Sequence, residues 1–424
     1  MIPISWEELV ALGLGQLERG TSDGPILGIG ADSRAVGPGD LFVALNTGVA
    51  FVDEARQRGA ATLIPEEQHE ALATLARLVR GKSTTRVVAV VGSTGKTTTK
   101  DILGALCSAV VPTVFARASL NNEIGLPLTV CRLEPETEVL VVEMGMRGLG
   151  QIAALCEIAR PDVVLVTSIG PEHLELVGSV ENVARANAEA IDALPTGGIA
   201  VVPTADRAPE LQPFLGRTDI ELRSFDPSDL TVAAAGAEFR LRSGTVRLEL
   251  PFKRRHLLEN MLAALTVYEA LGLPLDRAQE GASRIELSPW RGEEVPLPGG
   301  GFVVNDAYNA NPTSMRAALR DLDARAAGRR RVAILGEMAE LGEQSDAYHR
   351  EIGAVVAETV DVLVAVGERA RLYMTPGVAE MRFVPEPDGF DDLVRPGDAV
   401  LVKASRAVGL EGIPERVAKI AQTW

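Results

Sequence analysis

The chain has 424 residues, a formal net charge of −16, 46% hydrophobic residues and only 4% aromatic ones. That length predicts two or three domains with cores built from Ala, Val and Leu. The acidic balance, broken only by the short runs Lys253-Arg254-Arg255 and Arg329-Arg330-Arg331, argues against nucleic acid as a partner. A phosphate site in such a chain has to be local, made from loops, helix ends and metal, because the overall field repels anions.

Residues 1–83 read as a first unit. Ser5-Trp6-Glu7-Glu8 has the pattern of a capping box opening a helix, and Gly39-Asp40-Leu41-Phe42-Val43 reads as a turn feeding a strand. The N-terminus shows no basic stretch followed by an apolar core, and no run is suited to crossing a bilayer. Cys107, Cys131 and Cys156 are widely spaced and form no metal or redox motif. A cytoplasmic protein without membrane insertion is therefore expected, with its cysteines buried as small apolar residues.

Residues 84–292 read as a central unit, opened by the most informative segment of the chain. Val87 to Val91 form a short apolar run, read as a buried parallel strand. Gly92-Ser93-Thr94-Gly95-Lys96-Thr97-Thr98 follows, and Asp101-Ile102-Leu103 begins a helical pattern. Strand, glycine turn, Lys-Thr and helix are the context in which backbone N–H groups and a helix N-terminus cradle phosphate. Lys96 then reaches the terminal phosphates and the Thr97 hydroxyl serves as a ligand for Mg²⁺. The eight-residue P-loop pattern is met imperfectly, since Val90 stands where its first glycine belongs.

Further strands, Val139–Val142 and Val163–Thr167, alternate with helical patterns, so a mainly parallel sheet is expected. A stretch near 219–251 alternates differently and predicts an antiparallel annex. Glu143 ends one strand and His173 follows another, on the same sheet edge as the glycine loop. A carboxylate and an imidazole there suit Mg²⁺ on nucleotide phosphates. Asn121 and Asn122 lie in a polar loop, read equally as a turn or as contacts to a sugar or peptide. His256 and Asn260 share one face of a helix start, which reads either as a simple N-terminal turn or as an amide that meets a base.

Pro296, Pro298 and Gly299-Gly300-Gly301 mark a boundary, and 293–424 repeats strand-then-helix as a second open α/β sheet of Rossmann-like type. Its strands end at Asp306, Gly336, Gly367 and Lys403, where ligands of such sheets bind. Asp306-Ala307-Tyr308-Asn309-Ala310-Asn311-Pro312 is dense in polar chemistry, and its Asn-Pro step implies a fixed conformation.

Together these segments resemble the Mur ligase family, ATP-dependent amide ligases of peptidoglycan precursor synthesis. The resemblance rests on the 92–98 loop, Leu120–Pro127, Tyr308–Pro312, Leu335–Gly342 and Val402–Arg406. Within that family the motifs are similar to those of the member that joins D-alanyl-D-alanine to UDP-N-acetylmuramoyl-tripeptide. The missing first glycine is then a family trait. The resemblance implies three domains: a small N-terminal one for the UDP end of the substrate, with Ser33 and Arg34 near it, a central ATP domain, and a C-terminal domain that closes over both. It implies ATP and Mg²⁺ as cofactors, and an acyl phosphate formed on the tripeptide carboxylate and attacked by the dipeptide amine. Thr97 and Glu143 would hold one Mg²⁺ and His173 a second. Asn260, Arg291 and Asp306 would contact the nucleotide, Asn309 and Asn311 would line the closing face, and Asn121 and Asn122 would meet substrate. A monomer is expected.

Two departures from the family pattern stand out. A lysine that becomes carbamylated, and so ligates the second Mg²⁺, is replaced by Asn187. A weakened or rearranged second metal site is expected, with Asn187→Lys improving rate or Mg²⁺ affinity. Glu189, two residues along the helix, points to nearly the opposite side. The loop 46–53 is short and lacks an Asp-Gly-His run, which affects how the UDP or sugar is held. The alternatives are a related ligase with another amine or acid substrate, such as the folylpolyglutamate synthases, and a nucleotide-binding paralogue with impaired catalysis.

Overall fold

A computed structural model describes residues 1–116, 118–233 and 236–422. The helix Trp6–Ala11 starts with the expected capping box: Ser5 Oγ accepts from the Glu8 N–H (3.1 Å) and the Glu8 carboxylate accepts from the Ser5 N–H (2.8 Å). The N-terminal sheet has the spatial order Gly15–Glu18, Ala61–Pro65, Asp40–Val43, Gly28–Gly30, antiparallel at the first pair and parallel in the rest. The short loop after it winds into the 3₁₀ turn Asn46–Phe51.

The central sheet has six strands. The strand Arg86–Val91 lies in the middle, between Val139–Glu143 and Val163–Val166. All neighbours run parallel, and Val87–Val91 are fully buried, as a sheet covered on both faces requires. Register places Val90 opposite Glu143 and Val91 opposite Val166, so all three strands deliver their C-terminal ends to one edge. One difference from expectation lies at the annex. Glu221–Phe225 pairs parallel with Ile199–Pro203 and belongs to the main sheet, whereas only Leu230–Ala233, Gly236–Leu241 and Gly244–Leu248 form the antiparallel one.

The C-terminal sheet also has six strands. Its edge strand Glu293–Pro296 is antiparallel, and the others are parallel, in the order Phe302–Asp306, Ala399–Lys403, Arg331–Gly336, Val362–Val366, Glu380–Val384. Asp306 and Lys403 are direct register partners.

Apolar packing joins the units unequally. One continuous core runs from Leu72, Leu75 and Val79 of the helix Gln68–Gly81 into Leu126, Val130, Ile152 and Leu155 of the central unit. The C-terminal sheet instead has its own two cores, one on each face. All three cysteines are free and buried, and burial pushes their thiols up to about 12. They are inert packing residues, as expected. Among the described residues, no helix is long and apolar enough to cross a membrane.

Candidate active site

The glycine loop links the strand Arg86–Val91 to the helix Lys96–Ser108. Gly92 and Gly95 both have positive φ, at 123° and 81°. A side chain at Gly95 would also meet Asn260, since a Cβ there would lie 2.6 Å from Asn260 Oδ1. The helix Arg255–Ala270 thus brings Asn260 against the loop.

The loop amides divide into two groups. Three are tied to protein: the Gly92 N–H donates to Asn187 Oδ1 (2.6 Å), the Ser93 N–H to the Ser168 carbonyl (2.8 Å) and the Thr94 N–H to Ser168 Oγ (3.0 Å). Ser93 Oγ is fixed by Gly170. The first-turn N–H groups of the helix, at Lys96, Thr97 and Thr98, lack intrahelical partners by the geometry of any α-helix and carry the positive end of its dipole. Gly92, Ser93 and Thr94 therefore shape the loop, while the Lys96, Thr97 and Thr98 amides lie at the helix start, where an anion is favoured.

Lys96 Nζ donates to the Gly92 carbonyl and lies 3.4 Å from Glu172 Oε2. Glu172 is buried; burial raises its pKa, and the nearby Lys96 and His173 charges oppose that. On the other side of the loop, Thr97 Oγ1 meets Ser119 Oγ (2.8 Å) and accepts from the Arg291 guanidinium (3.0 Å). Arg291 in turn stacks over Tyr308, 3.9 Å from the ring centroid. One arginine thus joins the helix start to the first loop of the C-terminal unit.

Glu143 is 1% exposed. Its Oε1 accepts from Asn121 Nδ2 (2.7 Å), and its Oε2 is buried with no hydrogen-bond partner among the described residues. A buried carboxylate oxygen without a partner is costly, and a cation is the natural remedy. Thr97 and Glu143 therefore suit one hard cation whose other ligands are phosphate and water. Among the described residues no cluster of three His, Cys, Asp or Glu gathers. Asn121 serves Glu143, and Asn122 caps the helix Gly125–Val130 by accepting from the Gly125 N–H (2.9 Å). Each amide is partly engaged within the protein, so a contact with substrate would fall to Asn121 Oδ1 and Asn122 Nδ2.

His173 stands with φ 50°, and its Nδ1 is bonded to Glu340 of the C-terminal unit. Its Nε2 lies 4.0 Å from Glu172 Oε2. In that unit Lys403 is buried and donates to Asp306 Oδ2 (2.6 Å) and to the Asn309 carbonyl (2.9 Å). Asn309 Oδ1 accepts from the Ala310 N–H. Asn311 is the N-cap of the helix Pro312–Ala326, in a reciprocal capping box with Ser314. That accounts for the Asn-Pro step structurally. His256 is half-buried beside Arg254 and Asp306, and desolvation pushes its pKa down to about 4. Ser33 and Arg34 make their bonds inside the N-terminal unit, Ser33 to Glu54 (2.8 Å) and Arg34 in an exposed fork on Asp32.

Asn187 departs furthest from expectation. It is 1% exposed; besides accepting from the Gly92 N–H, it donates to the Val183 carbonyl (2.8 Å). Both ends of the amide are used, so this position anchors the phosphate loop. A lysine has no acceptor and would leave the Gly92 N–H unpaired. The expected gain from Asn187→Lys is therefore reversed: Lys and Ala variants are both expected to lower the melting temperature, by about 1–3 kcal/mol of stability for an orphaned buried donor, and to weaken ADP binding. Calorimetry on both variants checks this, and wild-type melting and ADP affinity in Asn187→Ala would remove the anchoring role. Glu189 indeed faces elsewhere, with its carboxylate accepting from the Gly150 and Ala153 N–H groups at a helix start.

Glu172, Ser168, Ser119 and Glu340 were not singled out from the sequence. Glu172 had a usable signal, being adjacent to His173. The two serines sit in ordinary loop sequence and acquire a role only through the fold.

Comparison with known proteins agrees with this geometry. Residues 90–268 match the Mur ligase middle domain, and residues 290–406 match the Mur ligase, glutamate ligase domain. The chain is 33% identical over 410 residues to UDP-N-acetylmuramoyl-tripeptide–D-alanyl-D-alanine ligase of Escherichia coli, covering 90% of each. Among solved structures it is similar to MurF of Acinetobacter baumannii, with a TM-score of 0.84, 26% identity and 98% and 99% of the two chains covered. It is also similar to MurF ligase of Thermotoga maritima in complex with ADP, with a TM-score of 0.80, 30% identity and 94% and 98% covered. The chain belongs to the Mur ligase family.

Proposed function

We propose that this protein joins D-alanyl-D-alanine to UDP-N-acetylmuramoyl-tripeptide with conversion of ATP to ADP and phosphate, in peptidoglycan precursor synthesis. The observation that carries the chemistry is the edge of the central sheet, where Lys96, the free first-turn amides, Thr97 and the unpartnered Glu143 oxygen converge. The relatives' shared activity supports the substrate pair.

The first-turn amides and Lys96 bind and orient the phosphates. Lys96 leaves the Gly92 carbonyl and Glu172 to meet the transferred γ-phosphoryl group, whose charge spreads in the transition state. Mg²⁺, held by Thr97 and Glu143, supplies charge neutralisation on the phosphates when bound. The terminal carboxylate of the tripeptide attacks the γ-phosphorus, its P–O bond forms as the bond to ADP breaks, and an acyl phosphate results. The dipeptide amine, having lost its proton, attacks the acyl carbon, and phosphate departs with the C–O bond. Arg291, spanning Thr97 and Tyr308, and Asn260, against Gly95, would hold the nucleotide from the flanking segments. Asp306, Asn309 and Asn311 would form the face that closes and excludes water.

The test is phosphate release from ATP with the tripeptide nucleotide and D-alanyl-D-alanine present together, and with each omitted. Release that needs both is the expected result. Release with unrelated amines in place of the dipeptide would assign another substrate, and none in any mixture would assign a protein without this catalysis.

A further inference from the structure

We propose that Glu340 is a positioning residue, carried in by the C-terminal unit, that sets the tautomer and direction of the His173 imidazole. The phosphate site is then complete only when that unit is seated. This rests on the proposed ligase reaction for its purpose but not for its geometry.

A carboxylate can only accept, so the bond between His173 Nδ1 and Glu340 Oε2 requires the proton on Nδ1. Nε2 is thereby turned toward Glu172, whose Oε2 lies 4.0 Å from it and 3.4 Å from Lys96 Nζ. A chain of charged and polar groups runs from the C-terminal unit to the phosphate lysine: Glu340, His173, Glu172, Lys96. An imidazole fixed at one nitrogen by a carboxylate, with the other aimed at the reacting centre, is a recurrent device for presenting a histidine.

The backbone on both sides of the contact is unusual. His173 has φ 50° and Glu340 φ 61°, and neither is glycine. Left-handed backbone at non-glycine residues persists where surrounding structure overdetermines it, and it clusters at functional sites. Here the Glu175 N–H donates to the Glu340 carbonyl (3.1 Å), and Arg147 lies 3.4 Å from Glu340 Oε1. The Glu340 loop is rigid within its own unit. The Met338 N–H donates to buried His349 Nε2 (3.0 Å) and the Ala339 N–H to Ser405 Oγ (2.8 Å). A loop held by these bonds and bearing one carboxylate meets one imidazole, across a joint where the half-buried Tyr348 packs against both the central and the C-terminal core.

Glu340→Ala is expected to lower kcat by about 10–100-fold, the range for removing a carboxylate behind a histidine, with ADP affinity within about twofold of wild type. Glu340→Gln keeps an acceptor for the Nδ1 proton and is expected to recover most of kcat. A simple charge strut to Arg147 would not be restored by a neutral amide, so failure of the Gln variant overturns the proposal. The second readout is ¹⁵N spectroscopy of the histidine rings in the full chain with ADP. The chain has only four histidines, and His173 is assigned from its Asn variant. The Nδ1–H signature is expected in wild type and in Glu340→Gln, and its loss in Glu340→Ala. Identical His173 signals in wild type and Glu340→Ala would overturn the proposal whether or not the ligase reaction is observed. Failure of the reaction itself would show as an inactive wild type.

Discussion

Lys96→Ala is expected to lower kcat for phosphate release by about 10³-fold, the scale for removing a charge aimed at a developing anion in a water-excluded site. The KM for ATP should rise as well, since the same ammonium group binds the phosphates of the ground state. The neighbouring cations among the described residues are committed elsewhere. Arg291 is engaged on Thr97 and Tyr308, and Lys100 is buried on the Ala116 and Ala118 carbonyls and beside Asp101. The substitution also strips buried Glu172 of its ammonium partner, which leaves burial opposed only by His173 and Ser93. A modest loss of stability, read by thermal melting, should accompany the kinetic loss. Activity within tenfold of wild type would exclude Lys96 from the transfer step.

Glu143→Gln carries the second large effect, and its two readouts differ in sign. The amide is nearly isosteric and its carbonyl can still accept from Asn121 Nδ2. What disappears is the negative charge beside the oxygen that has no partner among the described residues. With the charge gone, a hard cation is bound far less well. A kcat lower by about 10²-fold and a higher Mg²⁺ requirement are expected. The metal-free protein, by contrast, no longer buries an uncompensated charge. Its melting temperature without Mg²⁺ should equal or exceed that of wild type, as happens where a site is destabilised for the sake of function. A variant that melts lower without metal and keeps its Mg²⁺ dependence would show that Glu143 is structural.

The parts of this site that were legible in the sequence are those written in consecutive residues. A run of small apolar residues, a glycine turn, Lys96 and Thr97 specify a buried strand, a left-handed turn and a helix start. Period and polarity alone then put Glu143 and His173 on the same sheet edge. Contacts made across long separations were not legible from residue pattern. Arg291 reaches Thr97 over 194 positions and Glu340 reaches His173 over 167. Asn187 shows the limit most clearly. As a neutral amide in place of a lysine it reads as a loss of metal binding, and only the fold reveals that its carbonyl holds Gly92. Asn311 and Asn122 teach the converse, because asparagine before a helix serves as well for a cap as for a ligand.

The packing also bears on movement. The family resemblance implies a C-terminal domain that closes over the other two. The joint between the N-terminal and central units is sealed by a shared apolar core, which makes it stiff. The joint to the C-terminal unit has less apolar packing, chiefly Tyr348 against both cores, and adds the contacts of His173 to Glu340, Arg291 over Tyr308 and Arg254 near Asp321. Polar contacts exchange readily with water, so a closure over substrate would fall to this second joint.

The most direct measurement is the mass of the product formed from ATP, UDP-N-acetylmuramoyl-tripeptide and D-alanyl-D-alanine. The proposal predicts a species equal to the tripeptide nucleotide plus the dipeptide less one water, formed in step with ADP and phosphate and absent with Lys96→Ala. Unchanged tripeptide nucleotide under these conditions, or an adduct with a different amine in preference to the dipeptide, would contradict it.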